Sequence, residues 1–182
     1  AVATGTIAGF GGAGTPTESL EMEYPVIVER AAIWTDSGGP GRWRGGTGSI
    51  RDIRMLEDGK LTARIADRSV FPPRGILGGS PGVGGAWTIN RDTSREVVLP
   101  PKVTNYPIKA GDLITMSGSG GGGVGDPLMR DQSAVLRDIQ EGRVSVTAAR
   151  DRYGVAILAE CDSEPQAMVD EAETRRLRET AA

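Results

Sequence analysis

The side chains best suited to chemistry in this 182-residue sequence gather in two short clusters. The first is Asp36-Ser37-Gly38-Gly39-Pro40-Gly41-Arg42-Trp43-Arg44-Gly45-Gly46. A tight glycine loop would present Asp36 and Ser37 as polar contacts, with Arg42 and Arg44 positioned for an anionic substrate or a phosphate, which guanidinium groups bind in bidentate fashion. The competing reading is a structural loop in which Trp43 anchors the turn and an arginine pairs with a nearby carboxylate, since ion pairs also produce such patterns. The second cluster, Asp67-Arg68 with Phe71-Pro72-Pro73-Arg74-Gly75, invites the same comparison. An Asp-Arg after a strand also forms structural pairs, and the Pro-Pro segment is extended.

The densest glycine run, Gly118 to Gly125 followed by Asp126-Pro127, satisfies G-x-G-x-x-G at Gly118, Gly120 and Gly123. In a dinucleotide-binding domain that spacing sets backbone N–H groups and a helix N-terminus against a pyrophosphate. Here Asp126-Pro127 interrupts before a helix begins, no Lys-Ser/Thr follows, and no parallel βαβ pattern surrounds it. A glycine turn that lets backbones approach closely is the better reading.

Composition narrows the chemistry further. The chain has no histidine and one cysteine, Cys161, so it cannot by itself assemble a thiolate zinc site, a Cys–His pair or a Ser–His–Asp triad. Any metal it holds must sit on oxygen ligands or be shared with a partner. Cys161 lacks an activating histidine and lies beside Asp162, so an inert thiol is expected. The formal net charge of −3, without a basic cluster interleaved with aromatics, argues against a dedicated nucleic-acid binder. No apolar run reaches the roughly 18 residues of a membrane span. Ala1 to Gly5 carries no charged leader region, and a single cysteine suits a cytoplasmic location. Glycine, at 27 residues, is about twice its ordinary share, and eight aromatics supply little bulk. Such a chain either turns tightly and often or completes its core against something else.

The elements that must position these residues fall into three stretches. Residues 1–19 read as a Gly-rich docking or mobile segment, residues 20–160 as a β-rich domain, and residues 161–182 as a polar peripheral helix or tail. Tyr24 to Glu29 is a strand candidate. The Asp58-Gly59 pair predicts a hairpin between Gly48–Leu56 and Leu61–Asp67, with Leu61, Ala63 and Ile65 on one face. A second hairpin is expected between Ala86–Ile89 and Glu96–Leu99, and a strand at Leu113–Met116. From about residue 130 the period becomes helical. Asp131 caps one helix whose face holds Val135, Leu136 and Ile139, stopped by Gly142; Ser145 caps a second, closed by Gly154. Val155 to Leu158 could return as a strand, and Ser163-Glu164-Pro165-Gln166 reads as a capping box for a last helix to about Thr180. The fold expected is mainly β (α+β), a β-sandwich or barrel-like sheet with short C-terminal helices.

Taken together and in order, these segments resemble the C-terminal part of the hydantoinase B/oxoprolinase family, the HyuB-like subunits, which include the large subunits of acetone and acetophenone carboxylases. The matching residues are Glu23-Tyr24-Pro25, Asp36 to Gly41 with Arg44-Gly45-Gly46, Asp67-Arg68, Pro72-Pro73 with Gly75, and Gly78-Gly79 with Pro81-Gly82. They continue through Ala110-Gly111-Asp112, Gly120 to Gly123 with Gly125-Asp126-Pro127, Arg130-Asp131, Asp138, Gly142, Val144-Ser145, Ala148 and Tyr153-Gly154-Val155. The resemblance covers roughly Leu20 to Leu158.

It implies an ATP-dependent enzyme with a HyuA-like ATP-binding partner. The family's reactions are the opening of cyclic amides such as hydantoins, 5-oxoproline and lactams, and the carboxylation of ketones such as acetone or acetophenone; the resemblance does not choose between them. Members bind their catalytic metal through His and acidic residues of a larger N-terminal portion, which this chain lacks. The expectation is therefore a detached C-terminal piece or split subunit within a hetero-oligomer, free of nucleic acid and membrane. It would hold no cofactor itself, with ATP, Mg and a divalent metal on partner subunits. Asp36, Ser37, Arg42, Arg44, Asp67 and Arg68 would line or support a pocket, shaped by Gly120, Gly121, Gly122 and Gly123, while the catalytic residues stay unassigned. The alternatives are a small subunit of a ketone carboxylase, a purely structural assembly module, and an independent small-ligand binding protein.

Overall fold

The computed structural model describes residues 16–63, 68–158 and 168–181. Runs of β-branched and apolar residues form β1 (Val26–Ile33), β2 (Ser49–Met55), β4 (Ala86–Ile89), β5 (Val97–Val98) and β7 (Leu113–Ser117). These make one antiparallel sheet in the order β1-β2-β7-β4-β5. The register sets Ile53, Ile114 and Ile89 side by side, so one face is apolar. Against it lies a second layer, the pair β3 (Gly59–Ala63) and β6 (Val103–Ile108). Ile108 of that layer is buried with Ile89, Leu99 and Ile114, and Leu61, Trp87 and Tyr106 pack around them. The architecture is the mainly β, α+β one that the sequence predicts.

The hairpin across Ala86–Leu99 forms, with Thr88 opposite Val98 and Ile89 opposite Val97. The hairpin expected at Asp58-Gly59 does not. Both edges of β2 are taken, by β1 and β7. The Asp58 carboxylate instead accepts hydrogen bonds from the Ala110 amide at 2.9 Å and from Lys109 Nζ at 2.7 Å. The chain therefore crosses to the second layer, where Gly59 pairs with Ile108. Leu61 packs inward and Thr62 is exposed, as the alternation requires; residues 64–67 lie outside the described residues.

Helix α1 (Thr17–Glu23) is absent from the sequence expectation. Pro16 pre-sets the backbone at its start and Glu18 favours the positive end of the helix dipole. It buries no residue of its own. The Glu21 carboxylate ties it to the sheet by accepting from the Val28 amide at 2.8 Å.

Three glycine-rich segments, residues 37–46, 75–85 and 118–125, pack directly on one another. Gly39 donates to the Gly121 carbonyl at 2.8 Å, Gly123 to Ser80 at 2.9 Å and Ile76 to Gly123 at 3.0 Å. Val124 bridges Trp43 on one side and Ile76 on the other. A Cβ on Gly39 would overlap the Ser80 carbonyl, and one on Gly123 the Pro40 carbonyl. Glycine is required here because backbone meets backbone.

The C-terminal part is helical. In α2 (Gln132–Gln140) the Asp131 carboxylate accepts from the Ser133 amide at 2.7 Å. In α3 (Val146–Tyr153) the Ser145 hydroxyl accepts from Ala148 at 3.0 Å, and Gly154 ends the helix at φ 59°. Val135, Val144, Ala149, Tyr153 and Val155 form their shared core, against which Ile139 packs. Strand β8 (Ala156–Ile157) does return, paired with β9 (Val169–Asp170). The segment Ser163–Gln166, expected to cap the last helix, lies outside the described residues, as does Cys161. Helix α4 (Glu171–Ala181) starts later than predicted, because Val169 and Asp170 are held in β9 and the Asp170 carboxylate accepts from the Glu173 amide at 3.0 Å. It docks through polar contacts: Thr174 is fully buried and its hydroxyl accepts from the Ala156 amide, while Arg178 reaches the carbonyls of Tyr153 and Arg130.

Tyr153 is 1% exposed, and among the described residues its hydroxyl has no partner. Burial pushes its pKa up to about 12, from 10.0 in the unfolded chain. The folded state thus holds the phenolic proton longer than the unfolded state. Stability is full below pH 10 and falls as pH rises through 12. A Tyr153→Phe chain should match the parent within about 1 kcal/mol at neutral pH, because no hydrogen bond is lost. Between pH 10 and 12 it should gain on the parent, by about 2 kcal/mol. Urea unfolding across that range checks this, and parallel alkaline profiles would refute it.

Candidate functional site

Asp138 stands on the apolar face of α2, one turn beyond the fully buried Val135. A carboxylate there must be paired, because an isolated buried charge is costly. Arg44 Nε donates to Asp138 Oδ2 at 3.0 Å and Arg130 Nη2 donates to the same oxygen at 2.7 Å. Arg143 Nη1 lies 3.9 Å from Oδ1 and 2.6 Å from Glu141. The side chains of Arg44 and Asp138 are each 5% exposed, so the pair is interior. Arg130 is held at its backbone by Arg178 and itself donates to the Arg42 carbonyl at 3.0 Å.

Around this cluster lies a cleft of about 900 Å³. Its lining includes Arg42, Arg44, Arg130, Arg137 and Arg143, set against Asp131, Asp138 and Glu141. Trp43 and Met129, both about two-thirds exposed, add apolar surface. Hydrogen-bond donors outnumber acceptors, so the cleft suits an anion.

The structure brings together only part of the predicted site. Arg42 and Arg44 line the cleft. Asp36 does not. Held at φ 61°, its carboxylate accepts from the Ser145 amide at 2.8 Å and its own amide donates to the Arg143 carbonyl. Thr35 adds a hydrogen bond to the Gly142 carbonyl at 2.7 Å. Together they fasten the 34–37 turn to the α2–α3 connection. Ser37 is fully buried, donates to the Trp34 carbonyl and accepts from Gly48 at 2.8 Å. Arg68 is exposed, at φ 67°, and does not line the cleft; Asp67 lies outside the described residues. Gly120 to Gly123 sit in the glycine packing and hold the segment that carries Arg42 and Arg44.

Sequence reasoning missed Arg130, Arg137 and Arg143 as cleft residues and Asp138 as the centre of the cluster. One signal was available. Val135, Asp138 and Ile139 share one helix face by spacing, and an acid on an apolar stripe implies cations brought from elsewhere.

The residues present do not fit a divalent-metal site, since among the described residues no three His, Cys, Asp or Glu side chains converge. Among the described residues no helix is long and apolar enough to cross a membrane.

A family model for hydantoinase B/oxoprolinase matches residues 3–127. A putative D-/L-hydantoinase component of the same B type, from a Pseudomonas species, is 37% identical over 164 residues, covering 90% of this chain and 26% of its own length. The crystal structure of the ATP-dependent caprolactamase from Pseudomonas jessenii superposes with a TM-score of 0.67 and 31% identity, over 92% of this chain and 28% of that one. Nucleotide-free acetone carboxylase shares the fold, with a TM-score of 0.64 at 24% identity, over 91% of this chain and 26% of that one. The chain spans about a quarter of the length of three curated relatives it matches, the hydantoinase and caprolactamase components among them, and about a tenth of the 5-oxoprolinases.

Proposed function

The chain belongs to the hydantoinase B/oxoprolinase family, and on that premise we propose that it is a part of an ATP-dependent enzyme that opens cyclic amides such as hydantoins, 5-oxoproline or lactams. It completes a site formed mainly by other polypeptide: a HyuB-like N-terminal portion that supplies the divalent metal and a HyuA-like subunit that binds ATP with Mg. The observation that carries this reading is the similarity to two ring-opening systems, by name a hydantoinase component at 37% identity and a caprolactamase structure at 31%. Ring opening is preferred over ketone carboxylation because the carboxylase structure shares the fold at lower identity. Within this chain, Arg42 on the lip of the cleft and Arg44, fixed by Asp138, are the residues proposed to support the pocket. The setting proposed is cytoplasmic and hetero-oligomeric.

Two assays test the reading. The chain alone should show no ATP-dependent turnover of hydantoin, 5-oxoproline or caprolactam, followed by ADP release and by mass spectrometry of the ring-opened acid. The complex assembled with its neighbouring subunits should show it. Turnover by the chain alone would overturn the completing role. Bicarbonate-dependent consumption of acetone or acetophenone by the complex, without ring opening, would replace the hydrolase by a carboxylase. Arg42→Ala separates a pocket role from a scaffold role, because its side chain is exposed. Lost activity with the assembly intact by size supports the pocket, and lost assembly supports the scaffold.

A further inference from the structure

The cleft beside α2 carries more positive charge than its own carboxylates neutralise. Five arginines line it against three acids, an excess of two charges. Asp138 is shared by Arg44 and Arg130 with Arg143 nearby, and Glu141 is taken by Arg143. Asp131 caps the N-terminus of α2 and also attracts the Arg137 guanidinium at longer range. Arg42 and Arg137 form no ion pair among the described residues. Beside the guanidiniums stand the exposed Trp43 and Met129.

From these observations the geometry points to a binding site for a small organic phosphate monoester. Its phosphate bridges Arg42 and Arg137, and its organic body lies on Trp43. The charge selects phosphate over a single carboxylate. A phosphate monoester carries close to two negative charges near neutral pH and matches the excess of two, whereas one carboxylate would leave a guanidinium unneutralised. The volume of about 900 Å³ leaves room for a body beyond the phosphate. The site lies in the cleft proposed above as the pocket and shares Arg42 with it, but it rests on this chain's charge and is tested on the chain without turnover.

Isothermal titration calorimetry of the full 182-residue chain at constant ionic strength tests the site with two probes, inorganic phosphate and phenyl phosphate. Both should bind saturably, phenyl phosphate more tightly. Arg42→Gln combined with Arg137→Gln should weaken both by roughly tenfold or more, the loss expected for charge-assisted hydrogen bonds. Neither side chain holds the fold together by an ion pair, so circular dichroism and the melting temperature should stay at parent values. Trp43→Ala should bring phenyl phosphate down to the affinity of inorganic phosphate. Arg95→Gln, on the distant β4–β5 turn, should change neither. Absence of saturable binding, equal binding by the Arg42/Arg137 double variant, or an equal loss in Arg95→Gln would each overturn the site. If the two probes bind equally and Trp43→Ala has no effect, the organic subsite is wrong and a bare phosphate site takes its place.

Discussion

A Gly120→Ala chain is expected to melt far below the parent. The added Cβ would overlap the Ser37 carbonyl. That carbonyl cannot swing aside, because it accepts the Val83 amide at 2.8 Å while Ser37 is itself fully buried and held through its hydroxyl to Gly48. A backbone clash between pinned segments has no side-chain rotamer to relieve it, so the cost belongs at the high end for overpacking, about 3 kcal/mol or more. For a chain of this length that lowers the melting temperature by about 6–12 °C. Gly111→Ala is the control. Gly111 adopts φ +86°, which strains any other residue, but among the described residues nothing lies within 4 Å of its added Cβ. Its cost should be only about 1 kcal/mol. Calorimetric melting of the two variants side by side decides the matter, and equal losses would show that the packing at residue 120 yields to an added methyl as readily as the open turn at residue 111 does.

The second large effect is expected at Asp138. In Asp138→Asn the guanidiniums of Arg44 and Arg130 keep their buried positions but lose the charge that both share. Removing one member of a buried ion cluster costs about 3–5 kcal/mol, because the partner charge is left uncompensated. The loss should be strongly non-additive with Arg44→Gln, and a double-mutant cycle read by urea unfolding measures the coupling. Glu29→Gln gives the contrast. Its bidentate pair with Arg54 is just as regular in geometry but exposed, and solvent screening should leave the melting temperature close to the parent. If Asp138→Asn proves as mild as Glu29→Gln, the cluster is not the tie between the glycine segments and the helices.

What the sequence discloses divides along the reach of each interaction. The caps at Asp131 and Ser145 and the stop at Gly154 are legible because each involves residues no more than five apart, and all three stand as expected. The turn at residues 90–94 is legible for the same reason. At Asp58-Gly59 the same kind of local signal misleads. The chain bends at residues 56–57, but the strand it would pair with has both edges filled by strands from 26–33 and 113–117, and no property of residues 48–67 announces that. The arginine cleft shows the limit more sharply. Arg44 and Asp138 are 94 residues apart, and only the misplaced charge on the apolar stripe of α2 hints that they meet. The glycine clusters, read singly, look like three separate turns. Their meaning lies in the third dimension, where each removes side chains from the path of the others.

A region built by stacking glycine segments has a thermal signature as well as a steric one. Residues 37–46, 75–85 and 118–125 bury peptide groups against peptide groups, with few methylenes between them. Exposing polar surface on unfolding lowers the heat capacity by about 0.26 cal/K/mol per Å², whereas exposing apolar surface raises it by about 0.45. The two contributions oppose each other here more than in a domain filled with Leu and Phe. The heat-capacity increment per residue therefore falls below the ordinary 12–15 cal/mol/K, roughly, and stability changes less steeply with temperature on both sides of its maximum.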